Sequence, residues 1–369
     1  MRAHCRRAEA APPRSGGRAV PLCAGALALL ALAAAVGPSG ASAAKRKADP
    51  LSLGAIAPRP GAGLVRDRVI AGAPGTLRRA SAASSVGVYQ DQDGHSVRVQ
   101  VSDAYADPDV RAQELVNFLG TLLHTDEMHQ LTASLVTPRE LRRVCGRGAL
   151  ACYFPDPEEI VVSAEDGGPN DPPREFLIAH EYGHHLAANR SNSPWTALER
   201  GTKRWSTQED ICRGIKQRKI RPGFYFENPG EAFAESFAFY HFPNVIKWIW
   251  DIARPGQGSY DAILADVRFP WTRRTASGWS GRLGKEHRKE IRRLETPLDG
   301  RLKVKLDGPP GADFDLAVLG PNRGRVLQRA VHPGPDETLR YTVCGNRSVR
   351  VVVHRFKGAG EFEVTTARP

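Results

Sequence analysis

The pentapeptide His180-Glu181-Tyr182-Gly183-His184 sets two imidazoles four residues apart, with a carboxylate beside the first. On a helix, residues four apart stand one turn above each other, so both histidines can be aimed at a single metal ion. Glu181 projects about 100° round the helix from His180, where it can reach a metal-activated water and act as general base. A catalytic zinc usually has three protein ligands and one open position, so a third ligand is required. Downstream, Asn228-Pro229-Gly230 opens a second helix carrying Glu231 and Glu235 one turn apart. Their neighbours Ala232, Phe233, Ala234 and Phe237 belong in a core rather than on a solvated face. Glu231 is the expected third ligand. Glu235 is placed to accept the other ring N–H of a ligand histidine and fix its tautomer. The exchanged assignment, Glu235 on the metal and Glu231 outside it, has the same spacing. His185, Tyr240 and His241 lie beside the motifs but out of phase, and are expected to support, pack or face solvent.

Several elements must hold these residues. Pro172-Pro173 marks the start of the His180 helix, and Phe176, Leu177, Ala179 and Leu186 supply its apolar faces. Before it, Val86 and Val88 and then Val97, Val99 and Val101 alternate around Asp91-Gln92-Asp93-Gly94, which predicts a hairpin. Asp107-Pro108 opens a helix with Val110, Leu115, Phe118, Leu119 and Leu122 at helical spacing. A strand is expected over Leu131 to Val136, a short helix from Pro138 to about Val144, and a strand within Tyr153 to Ser163 centred on Ile160-Val161-Val162. After Thr296 the pattern becomes all-β, with Leu302, Val304 and Leu306, then Phe314, Leu316 and Val318, then Val349, Val351 and Val353, then Phe362 and Val364. Turns rich in Gly and Pro separate these runs, as in a β-sandwich. The expected fold class is therefore an α+β domain followed by an all-β sandwich.

The two helices with His180-Glu181-Tyr182-Gly183-His184 and Glu231-Ala232-Phe233-Ala234-Glu235-Ser236-Phe237 resemble the gluzincin metallopeptidases. The likeness is strongest to the catalytic domain of anthrax lethal factor and its relatives, and it covers about residues 174–242. It implies a zincin-like domain, Zn2+ as cofactor, Glu231 as ligand, and hydrolysis of a protein or peptide substrate. In the lethal-factor group a tyrosine shortly before the ligand glutamate stabilises the oxyanion. The matching offset falls here on Phe224, with Tyr225 beside it, so Tyr225 is the candidate. By analogy with such folds, the Ile160–Ser163 strand is expected to offer the edge on which an extended substrate pairs. The C-terminal module resembles the bacterial pre-peptidase C-terminal (PPC) domain. The residues carrying this are Gly311-Ala312-Asp313-Phe314-Asp315-Leu316, Glu337-Thr338-Leu339-Arg340-Tyr341, Val349 to Val353 and Phe362-Glu363-Val364.

Length and composition set the frame. The 369 residues exceed what one core usually holds, and 41% hydrophobic with 25% charged residues suits globular domains rather than disorder. The first residues combine scattered arginines, an apolar run from Leu22 to Val36 and Ala41-Ser42-Ala43, which reads as a signal peptide cleaved after Ala43 and so as secretion. The run is short for a transmembrane anchor and no second span follows. Expected boundaries are 1–43 signal peptide, 44–85 disordered linker or propeptide, 86–296 metallopeptidase domain, and 297–369 β-sandwich. Beyond the leader, Cys145, Cys152, Cys212 and Cys344 form an even set, which favours disulfides in an oxidising compartment. Cys145–Cys152 is the first choice across a short Gly-containing loop. Cys212–Cys344 follows by elimination only, and free buried thiols are the alternative for that pair.

The net charge is +12, but Lys45–Arg79, Arg200–Arg221 and Arg273–Arg293 each hold eight basic and two acidic residues, so the rest of the chain beyond the leader is acidic. An anionic surface or polymer is therefore an expected contact. No nucleic-acid module is recognisable and no signal specifies an oligomeric state. The expectation is a secreted zinc endopeptidase. The competing class is a secreted surface or binding protein with a structural or vestigial metal and the β-sandwich as its working part.

Overall fold

Val97, Val99 and Val101 alternate with polar residues and bury one side of a strand in the core, while Val86 and Val88 on the partner strand are exposed at the sheet edge. These strands, β1 (Ser84–Gln90) and β2 (Ser96–Ser102), pair antiparallel around the Asp91–Gly94 turn. A computed structural model describes residues 45–59, 69–70, 84–321, 324–345 and 347–369, and the expected signal peptide lies outside the described residues. Helix α1 (Pro108–Leu119) turns Ala112, Leu115, Val116, Phe118 and Leu119 inward and leaves Val110 exposed. Strand β3 (Thr132–Val136) leads to α2 (Pro138–Val144), whose first turn is closed by a reciprocal Thr137–Glu140 capping box. Strands β4 (Ala151–Phe154) and β5 (Glu159–Ser163) form an antiparallel hairpin. The five strands make one mixed sheet in the order β1-β2-β3-β5-β4, with β2-β3-β5 parallel.

The outer strand next to the coming helix is therefore β4. The Ile160–Ser163 strand, expected at the edge, lies inside the sheet between β3 and β4. Its run of five buried residues is what an interior strand requires.

Helix α3 (Arg174–Ala188) begins directly after Pro173 and is buried on nearly all sides. Strands β6 (Ser191–Asn192) and β7 (Trp195–Thr196) and the short helices α4 (Ala197–Arg200), α5 (Lys203–Gln208) and α6 (Ile211–Lys216) lead to α7 (Pro229–His241). The Asn228 side chain caps α7 by accepting from the Gly230 amide, and Pro229 fills the first helical position. Gly183 permits the close approach of α3 and α7: a Cβ there would stand 2.8 Å from Ala234 Cα, backbone that cannot give way cheaply. Helix α8 (Gln257–Arg268) packs on α5, where Asp266 accepts from the backbone and side chain of Arg204.

Eight strands follow: β8 (Thr275–Leu283), β9 (Lys289–Glu295), β10 (Gly300–Asp307), β11 (Asp313–Leu319), β12 (Val326–Ala330), β13 (Glu337–Val343), β14 (Ser348–Lys357) and β15 (Gly360–Arg368). They form two antiparallel sheets, β13-β10-β15-β8 and β12-β11-β14-β9, around a core of Leu302, Val304, Phe314, Leu316, Val351 and Val364. The β-rich region thus starts at Thr275 rather than at residue 297. Strands β8 and β9 are mostly exposed and bury chiefly Leu283 and Leu294, so the basic Arg273–Arg293 stretch hides two sheet-edge strands behind its charge.

Residues 45–59 are not a loose linker. Ala48 is buried, Asp49 N–H donates to Ala164 O at 3.1 Å, and Ser52 N–H donates to Glu175 at 2.8 Å. Further on, Val69 bridges to Tyr153 in parallel and Ile70 N–H donates to Tyr153 O at 2.9 Å, on the outer side of β4.

Both disulfides form. Cys145–Cys152 ties α2 to β4, and Cys212–Cys344 ties α6 to the end of β13. Around the second, Arg347 spans from Asp299 (2.9 Å) to Thr207 O (2.8 Å), and the Asp299 amide donates to Thr207 Oγ1 at 3.1 Å. No helix among the described residues is long and apolar enough to cross a membrane.

Candidate metal centre

Helices α3 and α7 bring His180, His184 and Glu231 together, with one potential ligand atom from each within 4.8 Å of the others. Glu231 Oε2 lies 3.2 Å from His184 Nε2 and 3.5 Å from His180 Nε2. Ligand atoms on a tetrahedral zinc with bonds of about 2.0–2.1 Å stand about 3.3 Å apart, so both spacings suit one ion. Two imidazole nitrogens with a carboxylate oxygen are the donor chemistry zinc accepts. The residues fit the metal.

His180 Nδ1 lies 3.1 Å from Glu235 Oε2, and Glu235 is fully buried. A carboxylate there holds the proton on Nδ1 and leaves Nε2 with a lone pair toward Glu231. Of the two acids, Glu231 therefore meets both histidines at Nε2 while Glu235 meets His180 from behind. Glu181 is buried on the same turn as His180. Solvent reaches the cluster mainly at Glu231, whose side chain is 8% exposed.

Tyr225 opens a short 3-10 turn, Tyr225–Glu227, just before α7. Its ring packs against Trp250 with centroids 5.1 Å apart, between the exposed Phe224 and Phe226. His185 is buried and makes its contacts apart from the three candidate ligands, with Nε2 2.9 Å from Glu127 O and Nδ1 3.3 Å from the Tyr153 hydroxyl. Burial pushes its pKa down, opposed by the Glu127 carbonyl and by Glu158. His241 accepts the Leu123 N–H at 3.0 Å, and burial lowers its pKa to about 4. Tyr240 stacks edge-on against Tyr260.

Spacing in the chain did not point to three contributors. Tyr153, in β4, lays its ring parallel to that of His184 with centroids 6.4 Å apart. Glu127 accepts from the Tyr182 hydroxyl at 3.1 Å and pairs with Arg190 at 2.9 Å, bracing α3 at a ring that also packs against Phe237 of α7. Burial alone would raise the Glu127 pKa, but the Arg190 charge and the Thr125 hydrogen bonds outweigh it and hold it at about 2. Gly183 is the third, and a small residue inside a ligand helix was its one visible signal.

Three of the eight basic residues in the stretch between the helices are ion-paired within the fold. Arg204 pairs with Asp266, Arg213 with Asp210 and Arg221 with Glu227. Lys203 is buried, donates to Ser193 O at 2.7 Å and lies over the Trp271 ring; burial lowers its pKa to about 8. Lys216, Arg218 and Lys219 remain exposed at the end of α6.

No family model matches this sequence. No curated protein matches it. Among solved structures, the pre-peptidase C-terminal domain of a Bacillus anthracis collagenase is similar at 9% identity, over 24% of this chain and 87% of that one, with a TM-score of 0.23. The Yersinia pseudotuberculosis-derived mitogen is similar at 14% identity, over 26% and 87%, with a TM-score of 0.23. PliG, a periplasmic inhibitor of g-type lysozyme from Aeromonas hydrophila, is similar at 7% identity, over 26% and 86%, with a TM-score of 0.21.

Proposed function

We propose that the protein is a secreted zinc-dependent endopeptidase of gluzincin type, with a PPC-like β-sandwich as accessory module. The observation that carries this reading is the convergence of His180, His184 and Glu231 from two helices, with Glu235 behind His180. Bound zinc supplies Lewis-acid polarisation of the scissile carbonyl and lowers the pKa of water. Glu181 takes the proton from the attacking water and returns it to the leaving amine. Glu235 keeps His180 in the tautomer that presents Nε2. Tyr225, on the turn entering the ligand helix, is the candidate donor to the oxyanion. An extended peptide pairs along β4, whose Tyr153 lies against His184, and to do so it displaces Val69 and Ile70 from that edge. Two disulfides and the signal-like leader support secretion. Contact with an anionic polymer or surface falls to Lys216, Arg218 and Lys219, which are exposed, whereas the exposed Arg213 and Arg221 are paired with Asp210 and Glu227.

One observation favours a second reading, a structural metal in a secreted binding protein: the side chains of His180 and His184 are 0% and 1% exposed. Incubating the zinc-loaded full chain with a diverse peptide library, and identifying products by mass spectrometry, separates the two. The peptidase reading expects cleavage that falls by about 10²- to 10⁴-fold in Glu181→Gln with zinc content unchanged. Cleavage at wild-type rate by Glu181→Gln, or stoichiometric zinc with no cleavage, overturns it.

A further inference from the structure

A second group of metal-capable side chains stands apart from α3 and α7. Asp91 and His95 border the β1–β2 turn, and His124 lies on the loop after α1. His95 Nδ1 lies 3.0 Å from Asp91 Oδ2 and 3.2 Å from His124 Nε2, and the latter two atoms are 4.0 Å apart. Two of these separations are near the about 3.3 Å of a tetrahedral zinc, and binding would draw Asp91 and His124 together by about 0.7 Å.

The proton count argues in the same direction. His124 Nδ1 lies 2.6 Å from Leu122 O, and a carbonyl only accepts, so the ring proton of a neutral His124 sits on Nδ1. Nε2 then presents a lone pair to His95 Nδ1, which also faces the Asp91 carboxylate. One N–H on His95 can serve one of these acceptors; a cation serves all three atoms. The set is also held in place. Asp91 Oδ1 accepts the backbone N–H of Asp93 at 2.9 Å and of His95 at 2.8 Å, which turns Oδ2 inward. The Asp91 and His124 side chains are 3% and 9% exposed, so neither is a freely solvated surface group.

We propose that Asp91, His95 and His124 form a second site for a divalent transition ion of the zinc class, a structural tie between the β1–β2 turn and the Leu122–Glu127 loop. The tie reaches both ligand helices. The Leu123 N–H donates to His241 at the end of α7, and Glu127 accepts from Tyr182 in α3. The donor set of two nitrogens and one carboxylate oxygen selects against calcium, which takes six to eight oxygens.

The test uses the full chain without a histidine tag, stripped by chelator and titrated with Zn2+ alone. Metal is counted after gel filtration. The wild type should carry two zinc ions per chain, His124→Gln and Asp91→Asn one each, and His180→Ala/His184→Ala one. If α3 and α7 hold no metal, the wild type carries one zinc, lost in His124→Gln and kept in His180→Ala/His184→Ala, so the two sites succeed or fail separately. A second zinc that persists in His124→Gln, or replacement of zinc at this site by Ca2+, overturns the proposal. A second measurement needs no variant. Carbethoxylation of the wild type, mapped by mass spectrometry, should slow at His95 and His124 by on the order of tenfold with Zn2+, with exposed His332 in the sandwich as internal control. Equal labelling of all three with and without Zn2+ also overturns it.

Discussion

The helical lobe and the β-sandwich bury different things. Around α3 and α7 the interior holds His180, Glu181, His184, His185, Glu127, Glu231 and Glu235, groups whose burial costs free energy unless each is matched. The sandwich interior is Leu302, Val304, Phe314, Leu316, Val351, Val353 and Val364, and its buried polar residues, such as Asp299, Glu337 and Ser348, lie at strand ends and loops. The contrast teaches that the first lobe spends stability on a site, while the second is a packing structure whose fold needs no chemistry.

The contrast would be broken by a sandwich mutation that altered the metal, or a site mutation that altered only packing. The largest expected stability effect is in the sandwich. Phe314→Ala removes a fully buried ring that meets Phe362 edge-on at 6.3 Å, and should cost about 3–5 kcal/mol in denaturant unfolding with zinc content unchanged. Next is the pH response of the helical lobe. Glu127 has a folded pKa of about 2 against an ordinary 4.5, so its charge stabilises the fold above about pH 4.5, and that contribution is lost as pH falls toward 2. The stabilisation at neutral pH is about 3 kcal/mol. Glu127→Gln should therefore lower stability at pH 7 and flatten its decline between pH 4.5 and 2, measured by urea unfolding across that range.

A smaller effect tests the partner behind His180. Glu235→Gln should weaken zinc binding by about 10- to 100-fold in a competitive chelator titration, with thermal stability of the sandwich unaffected. Smallest is the strap on β4. Proline lacks the N–H that Ile70 donates to Tyr153 O, so Ile70→Pro should free the β4 edge and raise peptide cleavage by about 2- to 10-fold. Unchanged cleavage would mean that the edge is not where substrate pairs.

Much of this organisation is legible along the chain where the signal is local. The spacing of His180 and His184 is a helical turn, and so is that of Glu231 and Glu235, because backbone geometry alone places residues four apart on one face. Alternation marks β10 and β11 because each buries one side. Local signals fade where burial does. Strands β8 and β9 carry charge on exposed faces and read as a basic stretch, and the 45–59 segment has no periodicity because it lies on the fold without joining a sheet.

By itself, then, the sequence determined two helices with a metal-binding spacing, an alternating β region behind them and an even cysteine set. Tertiary structure decided which partners meet. It assigned Glu231 to the histidines and Glu235 to the back of His180, put β4 rather than β5 at the edge, joined Cys212 to Cys344, and gathered Asp91, His95 and His124. The physical reason is range. Helix and strand periods follow from steric rules acting over a few residues, whereas a contact between distant segments depends on how whole faces pack, which no short stretch of sequence encodes.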